Sequence, residues 1–189
     1  PYSNPNIQPI EADAVSVISY EPDLQWMLPS MTDCQQQAAD FRVLLQEQSW
    51  RENIYVETDF FLVYGDQGSM GNFSFKLGND AVVIVANPDL KINNLPSYLI
   101  KDIFGGLIST WNEVYKVCPE CFNQVLQDDD LLIHVYSYPD QSVIFQSFSN
   151  KFLDVPLFNP QTNISPGAKA MREMVSLDQN AIGYLPHSW

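Results

Sequence analysis

The run AVVIVANPDLKINNLPSYLIKDIFGGLISTWNEV, residues 81–114, restricts the fold more than any other stretch of this chain. A block of apolar residues ends at Asn87-Pro88, and a proline cannot donate to a sheet ladder, so a buried strand must stop there. A short linker follows. Leu99, Ile103 and Phe104 then fall on one face at helical spacing, which predicts a helix over 96–104. Gly105-Gly106 ends it, and Trp111 reads as a buried anchor one turn later. This order predicts a strand leaving one α/β layer and a helix opening a second. Two-lobed proteins hold small ligands at such crossings.

The rest of the chain alternates in the same way. Strands are predicted at 14–20, 39–50, 58–66 (ending sharply at Gly65-Asp66), 131–138 and 181–186, with a turn at Gly78-Asn79 before the buried strand. After the first strand, Asp23 reads as the cap of a helix carrying Leu24, Met27, Leu28 and Met31, and Pro29 must kink it or shift its start. Phe145, Phe148 and Phe152 predict a helix over 141–153. Ser165 and Pro166 predict the start of another over 165–175. Strands alternating with helices give an α/β class with mainly parallel sheets. The expected division is an extended tether at 1–13, a first lobe at 14–87 and a second at 88–189, with the crossing near 81–90.

Charge excludes several functions. The 189 residues carry 23 Asp plus Glu against nine Lys plus Arg, a formal net charge of −14. No basic cluster exists for a nucleic-acid backbone or an anionic membrane surface. No apolar run approaches the ~20 residues of a membrane helix. Cys118 and Cys121 stand as CPEC, but zinc needs four ligands and the histidines are His134 and His187, so no metal is expected. CPEC reads as two loop cysteines, with a local disulfide one of the open states. Asp128, Asp129 and Asp130 read as a solvated turn. No Ser-His-Asp or Cys-His spacing stands out and His134 lies mid-strand, so the chain reads as non-catalytic and without a cofactor.

The segment from Asn87 to Val114 resembles the signature of phosphate-type periplasmic solute-binding proteins, the substrate-binding components of ABC importers. Asn87, Pro88, Leu95, Ile103, Phe104, Gly105 and Trp111 match in order. AIGYLP at 181–186 and the turn IHVYSYPDQSVIFQSF match further family segments, and the resemblance covers about residues 58–186. It implies a two-lobed type 2 periplasmic-binding-protein fold, shorter than is usual for the family. It also implies an extracytoplasmic protein, lipid-anchored through its tether, that passes a small molecule to the membrane permease of an importer. A sensor or interaction module with a degenerate crevice is the alternative.

The resemblance places the ligand at Ser19 and Tyr20, at Tyr64 and Asp66, and at Tyr138, Asp140, Gln141 and Ser142. Tyr138 stands where the family has Arg, and in its Gly-Ser-Gly-Thr turn Ser142 matches the Ser while Gln141, Val143 and Ile144 replace the other three. The guanidinium that would grip an oxyanion in two-pronged fashion is therefore missing. Helix N-termini attract anions unaided, but Glu21, Asp23, Asp66 and Asp140 lie near those ends. The residues consequently fit a neutral or weakly charged ligand stacked on tyrosines better than phosphate itself.

Overall fold

The computed structural model describes residues 15–37, 42–48, 58–65, 74–126, 131–153 and 159–189. The chain divides into two compact units, Pro1–Asn72 and Phe73–Trp189. The strand ending at Ala86, expected within the first lobe, packs with the second unit. The tether, Asp66 and the Asp128–Asp130 turn lie outside the described residues.

The first unit contains a parallel sheet of order β2-β1-β3, with β1 at Val15–Tyr20, β2 at Arg42–Glu47 and β3 at Phe60–Leu62. A six-residue 3-10 helix, Pro22–Met27, passes directly into α1, Leu28–Gln37. Pro29 thus marks a shifted start: it falls in the first turn of α1, where a residue without an N–H is best tolerated. Glu21, in extended backbone, occupies the cap position expected for Asp23, which lies in the first turn.

The second unit holds a sheet of order β4-β7-β5-β6. Its strands are β4 (Val82–Ala86), β5 (His134–Ser137), β6 (Asn163–Ile164) and β7 (Ala181–Pro186); its helices are α2 (Ser97–Phe104), α3 (Trp111–Val117), α4 (Val143–Phe152) and α5 (Ala168–Leu177). The β4–β7 pairing is antiparallel, whereas β5 runs parallel to both β6 and β7, so the expected mainly parallel arrangement holds with one reversed strand. All six residues of β7 are buried, and a Cβ on Gly183 would stand 2.6 Å from Met171 Sδ. That close approach explains a glycine amid apolar neighbours. Apart from Tyr20 and Leu24, the buried hydrophobic side chains among the described residues belong to this unit. Phe148 stacks on Tyr184 at 4.0 Å, and Phe104 tilts against Phe148 and meets Tyr184 edge-on.

The Asn87-Pro88 signature has a structural cause. Asn87 is 3% exposed. Its Oδ1 accepts from Asp89 N at 3.0 Å, and its Nδ2 donates to the carbonyls of Val175 and Ser176 at 3.0 and 3.1 Å. One amide therefore starts the turn after β4 and satisfies the open carbonyl end of α5. Trp111 follows the same logic. It is fully buried, its indole N–H donates to Asn180 O, and α3 begins in a capping box between Thr110 and Glu113. Ser165 does not cap α5, because Gly167 holds that position and Ser165 Oγ donates to its carbonyl.

His134, expected as a pleat residue, joins a polar cluster at the end of α5. Asp178 accepts from Tyr136 Oη at 2.8 Å and from Asn180 N at 3.0 Å, and lies 2.8 Å from His134 Nδ1. Burial pushes the Asp178 carboxyl up, but the hydrogen bonds from Asn180, Tyr136 and His134 outweigh it and hold it below its ordinary value. Burial, then the Asp178 contact, pushes Tyr136 up to about 12. A depressed acid stabilises the fold above its unfolded pKa, and that contribution is lost as pH falls below about 4. A raised tyrosine contributes fully below about pH 10, and the contribution is lost as pH climbs toward 12. A melting-temperature profile against pH should therefore fall at both ends. Tyr136→Phe should flatten the alkaline fall without removing it, because burial also pushes Tyr184 up to about 12.

Candidate functional site

Ligands of open α/β sheets gather outside the carboxyl ends of parallel strands. Each unit has one such rim, and the residues expected at the site divide between them. In the first unit, Ser19 and Tyr20 close β1 and Tyr64 follows β3. Ser19 is fully buried and sits in a polar network that composition alone did not reveal. Its hydroxyl donates to Gln48 Oε1 at 3.2 Å, accepts from Gln46 Nε2 at 2.7 Å and lies 2.7 Å from Thr58 Oγ1. Gln46 and Gln48 escaped the sequence reading, although their two-residue alternation at the end of β2 puts both on the face that carries Ser19.

Tyr20 is buried on the opposite face beside Glu47, its register partner. Burial first, then the Glu47 charge, raises its phenol pKa. Tyr64 is half-buried, and its hydroxyl accepts from Trp26 Nε1 at 3.1 Å. Its backbone N–H donates to Glu21 Oε2 at 2.8 Å, while Glu21 N donates to Leu62 O at 3.1 Å. A strand-end amide that could serve an oxyanion is thus already turned toward an internal carboxylate. Among the described residues of this unit the cation is Arg42, which opens β2 at the far end of the sheet. The rim is therefore acidic and aromatic.

In the second unit the β5–α4 turn carries Tyr138, Asp140, Gln141 and Ser142. Tyr138 is 1% exposed, with its ring 5.3 Å from that of Tyr184. Asp140 and Gln141 are exposed. Ser142 is the N-cap of α4, accepting from Phe145 N at 3.0 Å. Serine binds the first turn here as serine caps generally do, and its hydroxyl oxygen faces the helix end. Beneath the turn, Ser137 Oγ and Tyr184 Oη meet at 2.7 Å. A separate apolar cavity of about 160 Å³ lies against β4, β7 and α5, lined by Val85, Pro88, Val175 and Leu185 among others; it contains none of the residues expected at the site. Among the described residues, no group of three or more His, Cys, Asp or Glu could hold a metal ion, and no helix is long and apolar enough to cross a membrane.

Two α/β units built in this way have the periplasmic-binding-protein-like fold. The chain is similar to a structure assigned as a phosphate ABC transporter substrate-binding protein from Clostridium perfringens, with bound phosphate. That match has a TM-score of 0.63 and 18% identity, and covers 93% of this chain and 72% of the other. It is also similar to an ABC-type phosphate transport receptor from Vibrio cholerae, at TM-score 0.55 and 19% identity, covering 92% and 72%. The effector-binding domain of a BenM variant shares the fold at TM-score 0.50 and 16% identity, covering 92% and 72%. At these identities the likeness is one of fold. No protein-family model matches the sequence, and no curated protein matches it.

Proposed function

We propose that this chain is an extracytoplasmic solute-binding protein that captures a small molecule for the permease of an ABC-type importer and performs no catalysis. The observation that carries this reading is the fold shared with a phosphate ABC transporter substrate-binding protein over 93% of the chain. The ligand is neutral or weakly charged. The residues proposed to contact it are Tyr64 and Asp66 in the first unit and Asp140, Gln141 and Ser142 at the β5–α4 turn of the second. The engagement of Tyr64 N by Glu21, with Arg42 at the opposite end of the sheet, supports a non-anionic ligand. Native mass spectrometry of the purified protein, followed by acid release, tests the reading. A retained small molecule of defined mass is the expected result, and a stoichiometric phosphate adduct would refute the ligand class.

A sensor or interaction module is the second reading. One observation favours it: Ser19 and Ser142 satisfy their hydroxyls within their own units. A tight ligand present at about a hundred times its Kd stabilises a fold by about 2.7 kcal/mol. A melting-shift screen against monosaccharides, amino acids and inorganic phosphate therefore separates the readings, because the module would show no shift with any of them.

A further inference from the structure

We propose that Cys118 and Cys121 form a structural disulfide clasp on the linker that leads from β4 to α2. The two are joined in a disulfide, and each is 3% exposed within the hydrophobic core. Cys118 ends α3, and Cys121 closes the short 3-10 turn that follows it. The residues just beyond are bonded to the linker. Asn93 N donates to Cys121 O and Asn123 N to Lys91 O, both at 2.8 Å, framing an antiparallel bridge between Ile92 and Phe122. Gln124 Nε2 donates to Asp89 O at 2.9 Å, and the Asn93 and Asn123 side chains bond to one another. The bridge lacks the length of a sheet, and a two-stranded ladder is marginal without support. The support is covalent on one side: the disulfide fixes the 118–121 turn against Trp111 and Phe122, whose rings meet edge-on at 6.2 Å.

The chemistry balances as thiol–disulfide exchange. The two thiols lose two protons and two electrons, Sγ joins Sγ, and an incoming disulfide-bearing oxidant leaves as two thiols. Buried in apolar surroundings, the bond is kept from solvent-borne thiols, as expected of a structural bridge. A chain built around it matures where disulfides persist. This inference is independent of which ligand the protein takes.

Two readouts on the full chain test it. Protein secreted into an oxidising compartment, denatured and alkylated without reductant, should gain one adduct, at the exposed Cys34; three adducts would overturn the proposal. Amide hydrogen exchange should then be compared before and after reduction with a phosphine. The Asn93 and Asn123 amides should exchange about tenfold faster or more once reduced, while those of β7 keep their protection. Unchanged exchange at Asn93 and Asn123 would show that the bond does not hold the linker. Loss of β7 protection in parallel would show global unfolding instead of a local clasp. The Cys118→Ala/Cys121→Ala variant should behave as the reduced protein does; if it fails to fold, the reduced wild-type chain still gives the answer.

Discussion

Asn87→Asp should destabilise the protein by about 4 kcal/mol or more, and by more than Asn87→Ala does. The alanine removes two buried donors and one acceptor, leaving the carbonyls of Val175 and Ser176 and the amide of Asp89 to find other partners. Each orphaned buried group costs about 1–3 kcal/mol. The aspartate keeps the acceptor but turns a carboxylate onto the negative end of α5, at a site only 3% exposed. Such a carboxyl would have a raised pKa, so the penalty applies above its unfolded value and shrinks as pH falls. Urea denaturation at neutral and mildly acidic pH, followed by circular dichroism, checks both the ranking and its sign. Equal stabilities for the two variants at neutral pH would mean that Asn87 does not face the helix end.

Trp111→Ala should cost about 3–5 kcal/mol, a large share of the 5–15 kcal/mol that holds most domains together. Its ring is fully buried and packs edge-on against Phe122, and its N–H satisfies Asn180 O. Trp111→Phe separates these contributions. Phenylalanine keeps much of the apolar contact but leaves Asn180 O without its donor, so its loss should lie between wild type and alanine, at about 1–3 kcal/mol. Asn180 N also donates to Asp178, so the alanine variant should loosen the His134–Asp178–Tyr136 cluster too. Weakening of the acid limb of the pH profile in Trp111→Ala would report that link.

Much of the second unit was legible in the sequence because its strongest signals are local. The strand at 181–186 is reproduced residue for residue, since a fully buried strand bounded by a turn and a proline has little choice. The helices expected at 96–104 and 141–153 appear at Ser97–Phe104 and Val143–Phe152. The first unit was harder to read. Among its described residues the strand expected at 39–50 is present as Arg42–Glu47, and its first helix opens as a 3-10 turn with Glu21 at the cap position. Aspartate is the stronger cap by propensity, yet Glu21 holds that position without a side-chain cap bond, because its backbone and carboxylate pair with Leu62 and Tyr64 around the end of β3. The candidate site was legible as positions but not as contacts. That Ser19 would turn inward to Gln46, Gln48 and Thr58 depends on strand register, which spacing along one strand cannot supply. Tyr138 illustrates the same limit: an aromatic residue at a strand end can line a cleft or fill a core, and its ring lies against Tyr184.

The measurement that bears most directly on the proposed function is isothermal titration of the protein with inorganic phosphate and, in parallel, with the neutral solute giving the largest melting shift. The neutral solute should bind at micromolar Kd or tighter, about −8 kcal/mol or better, and phosphate should release no binding heat. Micromolar phosphate binding, or the absence of heat with every solute, would contradict the account.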